Sequence, residues 1–153
     1  FERDQIESYR VISMNTKLIG ILAEIGATSL TMMWTWRNLS GFSTMTIKSI
    51  SKVLTQGIGI VIVAVVLVSI LVSIFSAVQS GDHSGAGLED ERDRMYELYA
   101  TQLSSGIFGL AMVTVLILMG WFNLSVNAGL IAIVYSGFTA VVASGILRMY
   151  LYR

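Results

Sequence analysis

From Leu98 to Leu147 the chain runs 50 residues without a Lys, Arg, Asp or Glu, and from Val53 to Gly81 it runs another 29. One apolar crossing of a bilayer takes about 20 residues of helix, so the longer stretch is long enough for two crossings and the shorter for one. A water-soluble domain keeps itself dissolved with charge, usually on about a quarter of its residues. Here charged residues make up 13% of 153 and hydrophobic ones 54%, so much of the surface is expected to face hydrocarbon. Backbone in lipid must satisfy its own polar groups, which restricts such runs to helices or closed barrels. Ile58 to Val72 is rich in β-branched residues, but it lies in a run of some 25 apolar residues, far longer than a strand needs.

The expected fold is all-α: an integral membrane four-helix bundle of two transmembrane hairpins. Span one is read at Leu18–Trp36, closed by Trp34 and Trp36, residues that favour the headgroup level. A Ser/Thr-rich connector follows over Arg37–Lys52. Its Phe42, Met45, Ile50 and Val53 recur at roughly helical intervals, which fits either a short interfacial helix or a plain loop. Span two is read at Leu54–Val78, span three at Leu103–Phe122 and span four at Ala128–Leu147, with a tight turn at Asn123–Asn127 between the last two. The division is therefore 1–79 as a first charged helix plus hairpin, 80–90 as a flexible linker (SGDHSGAGL over most of its length), and 91–153 as a second charged helix plus hairpin. The absence of proline removes proline kinks from every span. Because the chain begins at Phe1 rather than at methionine, residues before it are expected in the full protein, and its mixed charged start carries no signal-peptide pattern.

Sidedness follows from the cations. Arg3, Arg10, Lys17, Arg92, Arg94, Arg148 and Arg153 fall on one side of a four-span protein, and Arg37, Lys48 and Lys52 on the other. The positive-inside rule places both termini in the cytoplasm of a cell-membrane, multi-pass protein.

Glu2-Arg3-Asp4 reappears as Glu91-Arg92-Asp93, with Ile6 and Met95 following at the same offset and Glu7 and Tyr9 matching Glu97 and Tyr99 after a one-residue slip. Each copy stands before a hairpin, which suggests a parallel internal duplication. This motif ahead of paired spans resembles the small prokaryotic membrane proteins grouped as domain of unknown function 2178. The resemblance covers Glu2 to Tyr9, Glu91 to Tyr99 and the hydropathy plan. It implies a prokaryotic cell-membrane protein with no assigned reaction and transfers no catalytic residue. The Ser/Gly/Asp-rich linker departs from the compact loops expected of such proteins.

Few residues can carry chemistry. The chain has no cysteine and one histidine, His83, in the linker, so zinc of the ordinary type, haem ligation and Ser/His/Asp catalysis lack their donors. No cofactor or metal is expected, nor an enzyme. The formal net charge of zero offers nothing to nucleic acid. Glu24 is the ionisable residue well inside a span, about 9 Å below Leu18 at helical rise. With Gly20, Thr28, Thr31 and Thr35 it forms one helical stripe, so it should face protein. It either binds a proton or cation on a path lined by those threonines, or it hydrogen-bonds a neighbouring helix or lies near enough to the interface to be hydrated; the second reading is preferred, since no partner is evident in another span.

Span four carries Ala128, Ala132, Ser136, Ala140 and Ser144 at every fourth position, beside Gly129, Gly137 and Gly145. Small residues let helix backbones approach, so this stripe is read as packing, within the bundle or against a second copy, ahead of a polar pore wall. Glu2, Arg3, Asp4, Glu91, Arg92 and Asp93 are either solvated helix starts or a cytoplasmic ledge for pairing or docking. The leading functional expectation is a non-enzymatic structural or regulatory subunit in the lipid bilayer, working as a homo-oligomer or within a larger membrane complex. The alternatives are a small channel or proton/cation-coupled transporter using Glu24, and a structural component of a viral or vesicle membrane.

Overall fold

A computed structural model describes the backbone of residues 2–80 and 91–152, and the side chains of 17–75 and 91–152. Residues 81–90 of the linker, His83 among them, and the side chains of Glu2, Arg3 and Asp4 lie outside the described residues. The protein is all-α. Helix α1 spans Glu2–Asn38, α2 Ile47–Ser80, α3 Glu91–Trp121 and α4 Val126–Tyr152, with a 3-10 turn at Phe42–Thr44. All four helices contain a stretch long and apolar enough to cross a membrane: Lys17–Asn38, Ile47–Phe75, Glu91–Trp121 and Val126–Leu151. The chain is a multi-pass membrane protein.

The helices begin and end outside the apolar runs. α2 starts at Ile47, seven residues before the expected Leu54, so the connector is much shorter than Arg37–Lys52. Thr46 caps it: its backbone oxygen accepts from Ile50 N–H at 3.1 Å and its hydroxyl from Ser49 N–H at 3.4 Å. The preceding turn passes through Gly41 at φ 89°, a left-handed conformation that glycine takes at no steric cost. The residues expected to recur helically here do pack inward. Ile50 joins Leu39, Leu54 and Ile131 in a buried cluster, with Phe42, Met45 and Val53 against it. At the other turn, Leu124 N–H reaches back to Leu118 C=O at 3.1 Å, closing seven residues at the helix end, and Asn123 takes the left-handed position at φ 55°. Ser125 then caps α4 through its hydroxyl to Ala128 N–H at 3.3 Å.

α4 is the hub. It packs on α1, on α3 and, less extensively, on α2, while α1 packs on α2. α1, α2 and α4 thus make a three-helix group, with α3 laid on the far side of α4; α2 and α3 are not a packed pair. Glycines set the closest approaches. A Cβ at Gly57 of α2 would stand 2.4 Å from Thr35 Cγ2 of α1, and one at Gly145 of α4 would stand 2.6 Å from Ile25 Cγ1 of α1. Gly129 of α4 gives similar room to Met119 of α3. Without a hydrophobic drive between helices in lipid, dense packing of this kind holds them together.

The outer face of α2 is apolar. On α2, Ile62, Val63, Val66, Leu71 and Ile74 are more than half exposed, as a hydrocarbon-facing helix requires.

Candidate functional site

One end of the bundle gathers a cluster of ionisable side chains from α1, α3 and α4. α1 contributes Lys17 and Glu24, two turns apart on one face. α3 contributes Asp93, Tyr96 and Glu97 from its first two turns, and α4 contributes Arg148 and Tyr152 from its last two. The antiparallel hairpins bring the Lys17–Glu24 stretch of α1, the start of α3 and the end of α4 to the same level.

Arg148 is the centre. Its Nη2 donates to Glu24 Oε2 at 2.7 Å, and its Nη1 lies 3.7 Å from Glu97 Oε1. The Arg148 and Glu24 side chains are 16% and 20% exposed, so this pair is mostly withdrawn from water. Breaking a buried pair from one side strands a charge and costs about 3–5 kcal/mol. Arg148 Nε is buried and lacks an acceptor. Lys17 donates to Asp93, joining α1 to α3, and its ammonium stands 5.7 Å from the Tyr152 ring centre. Tyr152 meets Tyr96 edge-on at 5.4 Å, and the Arg92 guanidinium lies 5.4 Å from the Tyr96 ring. Asp93 also stands in the first turn of α3, where the helix dipole favours a carboxylate.

A cleft of about 270 Å³ opens beside this cluster, lined by residues of all four helices. Lys17, Glu24, Asp93, Glu97 and Arg148 line one side and Val65, Val68 and Val72 of α2 the other. A second cleft of about 210 Å³ lies between α3 and α4, lined by Thr101, Ser104, Ser105 and Ser144, and it shares Glu97 and Arg148 with the first.

The expected residues fall as follows. Glu24 does face protein, as its stripe requires, and Thr28 and Thr31 are buried with it. Their hydroxyls, however, donate to carbonyls of their own helix, Thr28 to Glu24 and Thr31 to Ala27, each at 2.8 Å. Thr35 does likewise with Thr31 and Met32 and also meets the Tyr135 hydroxyl at 3.0 Å. The absence of an evident partner for Glu24 in another span is corrected: Arg148, counted above only among the cations that set sidedness, is that partner. In α4, Ala140 and Ser144 are buried and Ala132, Ser136 and Gly137 half-buried. Gly137 faces Phe108 of α3, and the adjacent Gly145 faces Ile25 of α1, so contacts within one chain cover much of this helix. Of the charged triplet in α3, Glu91 and Arg92 are exposed while Asp93 is half-buried on Lys17.

Comparison with protein-family models, with curated proteins and with solved structures gave no significant match.

Proposed function

We propose that the chain is a non-enzymatic structural or regulatory subunit of a prokaryotic cell membrane, acting through helix association, with both termini in the cytoplasm. The observation that carries this reading is the Glu24–Arg148 pair. The carboxylate deep in α1 is engaged by a guanidinium from α4, an arrangement that fixes helices relative to one another. The hydroxyls of Thr28, Thr31 and Thr35 each donate to a carbonyl of their own helix, so α1 itself accounts for them. Much of α4 is used inside the chain, so the long apolar flanks of α2 and α3 are the surfaces left for association. The Glu-Arg-Asp resemblance supports the prokaryotic cell-membrane assignment, and the cation count supports the cytoplasmic termini.

The test is the mass of the assembly extracted from its own membranes in mild detergent. A homo-oligomer or a stoichiometric complex with another membrane protein supports the proposal; a monomer at all concentrations overturns it.

A second reading keeps Glu24 as a proton or cation site, because it borders the 270 Å³ cleft together with Lys17. It requires an ion flux in proteoliposomes that Glu24→Gln abolishes without unfolding the protein.

A further inference from the structure

We propose that the larger cleft binds the headgroup of a membrane phospholipid carrying a primary amine, the phosphoethanolamine type, with its acyl chains lying on α2. This goes beyond the association reading and does not depend on it.

Position comes first. Lys17 opens the apolar segment of α1, and Arg148 and Tyr152 stand at the end of that of α4. The cleft therefore lies where hydrocarbon gives way to headgroups. Its far wall is Val65, Val68 and Val72, and neighbouring positions on α2, Leu71 and Phe75, are more than half exposed. An acyl chain can follow that helix directly from the cleft.

Size comes next. Pockets that enclose a whole small ligand run from about 300 Å³ upward. At about 270 Å³, this cleft suits a headgroup rather than an entire lipid.

Charge decides the headgroup. The lining has two cations, Lys17 and Arg148, and three carboxylates, Glu24, Asp93 and Glu97. The balance is one negative, which disfavours a purely anionic headgroup. A zwitterion with a phosphate and a protonated amine matches both signs. The phosphate oxygens suit the Lys17 ammonium, whose side chain is 39% exposed beside the cleft. The amine suits Glu97, whose only ion-pair distance is the long 3.7 Å and whose side chain is 52% exposed. A quaternary ammonium carries the same charge but no N–H, so it cannot donate to a carboxylate.

The experiment uses the full chain, delipidated in detergent and offered an equimolar mixture of phosphatidylethanolamine, phosphatidylcholine and phosphatidylglycerol with matched acyl chains. Native mass spectrometry reads the lipid retained. The expected result is a preference for phosphatidylethanolamine of about tenfold, the worth of one charge-assisted hydrogen bond. Ser69→Phe fills the cleft from α2 without touching an ion pair and should abolish the preference while the helix content stays unchanged. Glu97→Gln should reduce it. Equal retention of the three lipids, or a preference that survives Ser69→Phe, overturns the proposal. Displacement of the lipid by soluble phosphoethanolamine or inorganic phosphate at equal concentration also overturns it, since the ligand would then be a soluble phosphate.

Discussion

Glu24 and Arg148 are 124 positions apart in sequence, yet the carboxylate of one accepts a 2.7 Å hydrogen bond from the guanidinium of the other. The first span and the last are tied at a site mostly withdrawn from water, where an unpaired charge is costly. The two ends of this tie are unequal. Arg148 has Glu97 as a second carboxylate, 3.7 Å away, whereas Glu24 has Arg148 as its described ion-pair partner.

Removal of the cation should therefore hurt more than removal of the carboxylate. Arg148→Met strands Glu24 and is expected to cost about 3 kcal/mol, toward the lower end for a broken buried pair because both side chains keep some exposure. Glu24→Gln leaves Arg148 with Glu97 and should cost less. The double variant should recover part of the loss. Reversible unfolding in mixed detergent micelles, followed by circular dichroism, ranks the three; equal losses for the two single variants would refute the asymmetry.

Two glycines two positions apart on α2 should respond oppositely. A methyl at Gly57 meets Thr35 Cγ2 at 2.4 Å, inside the α1–α2 contact, and Gly57→Ala should destabilise by about 1–3 kcal/mol through overpacking. A methyl at Gly59 meets nothing within 4 Å, so Gly59→Ala should be neutral or gain up to about 1 kcal/mol from helix propensity. Melting of the two variants in the same detergent checks the contrast.

The number of helices, their pairing into hairpins and the inward face of Glu24 could be read from the sequence because lipid enforces them. Charge-free length counts the crossings, and a buried carboxylate must turn toward protein. The start of α2 was not legible from hydropathy, since apolarity marks where hydrocarbon begins, whereas Thr46 caps the helix earlier and leaves Lys48 and Lys52 on its exposed first turns. The pairing of Arg148 did leave a signal. Continuing the four-residue step of Ala140 and Ser144 gives Arg148 and then Tyr152, so the packing stripe of α4 runs straight into the charged cluster. Its partner lay in a different hairpin, and one-dimensional periodicity carries no information on which helix a stripe will face. The clefts arise where separate helices meet, and no local pattern encodes them.

At the turn between α3 and α4 the left-handed backbone of Asn123 sets the cost of substitution. Asn123→Val places a β-branched side chain at φ 55° and should cost about 1–2 kcal/mol, while Asn123→Gly should be tolerated. A destabilisation by glycine equal to that by valine would mean that the Asn side chain, rather than the backbone geometry, matters at this position.

The hairpins make a topological prediction that the chain's own composition renders easy to test. With no native cysteine, a single introduced thiol reports its own side of the membrane. Ser43→Cys, in the 3-10 turn, and Phe122→Cys, beside the α3–α4 turn, lie at one end of the bundle; Glu91→Cys, at the start of α3, lies at the other, and all three positions are exposed. In intact cells a membrane-impermeant maleimide should label the first two and should reach Glu91→Cys only after permeabilisation. The cation distribution sets that direction, and the helix packing sets the opposition between the two ends. These two inferences fail separately. Labelling of Glu91→Cys alone would reverse the sidedness and leave the hairpins intact. Labelling of all three from one side would remove the hairpins, because α3 would then begin and end on the same face of the bilayer.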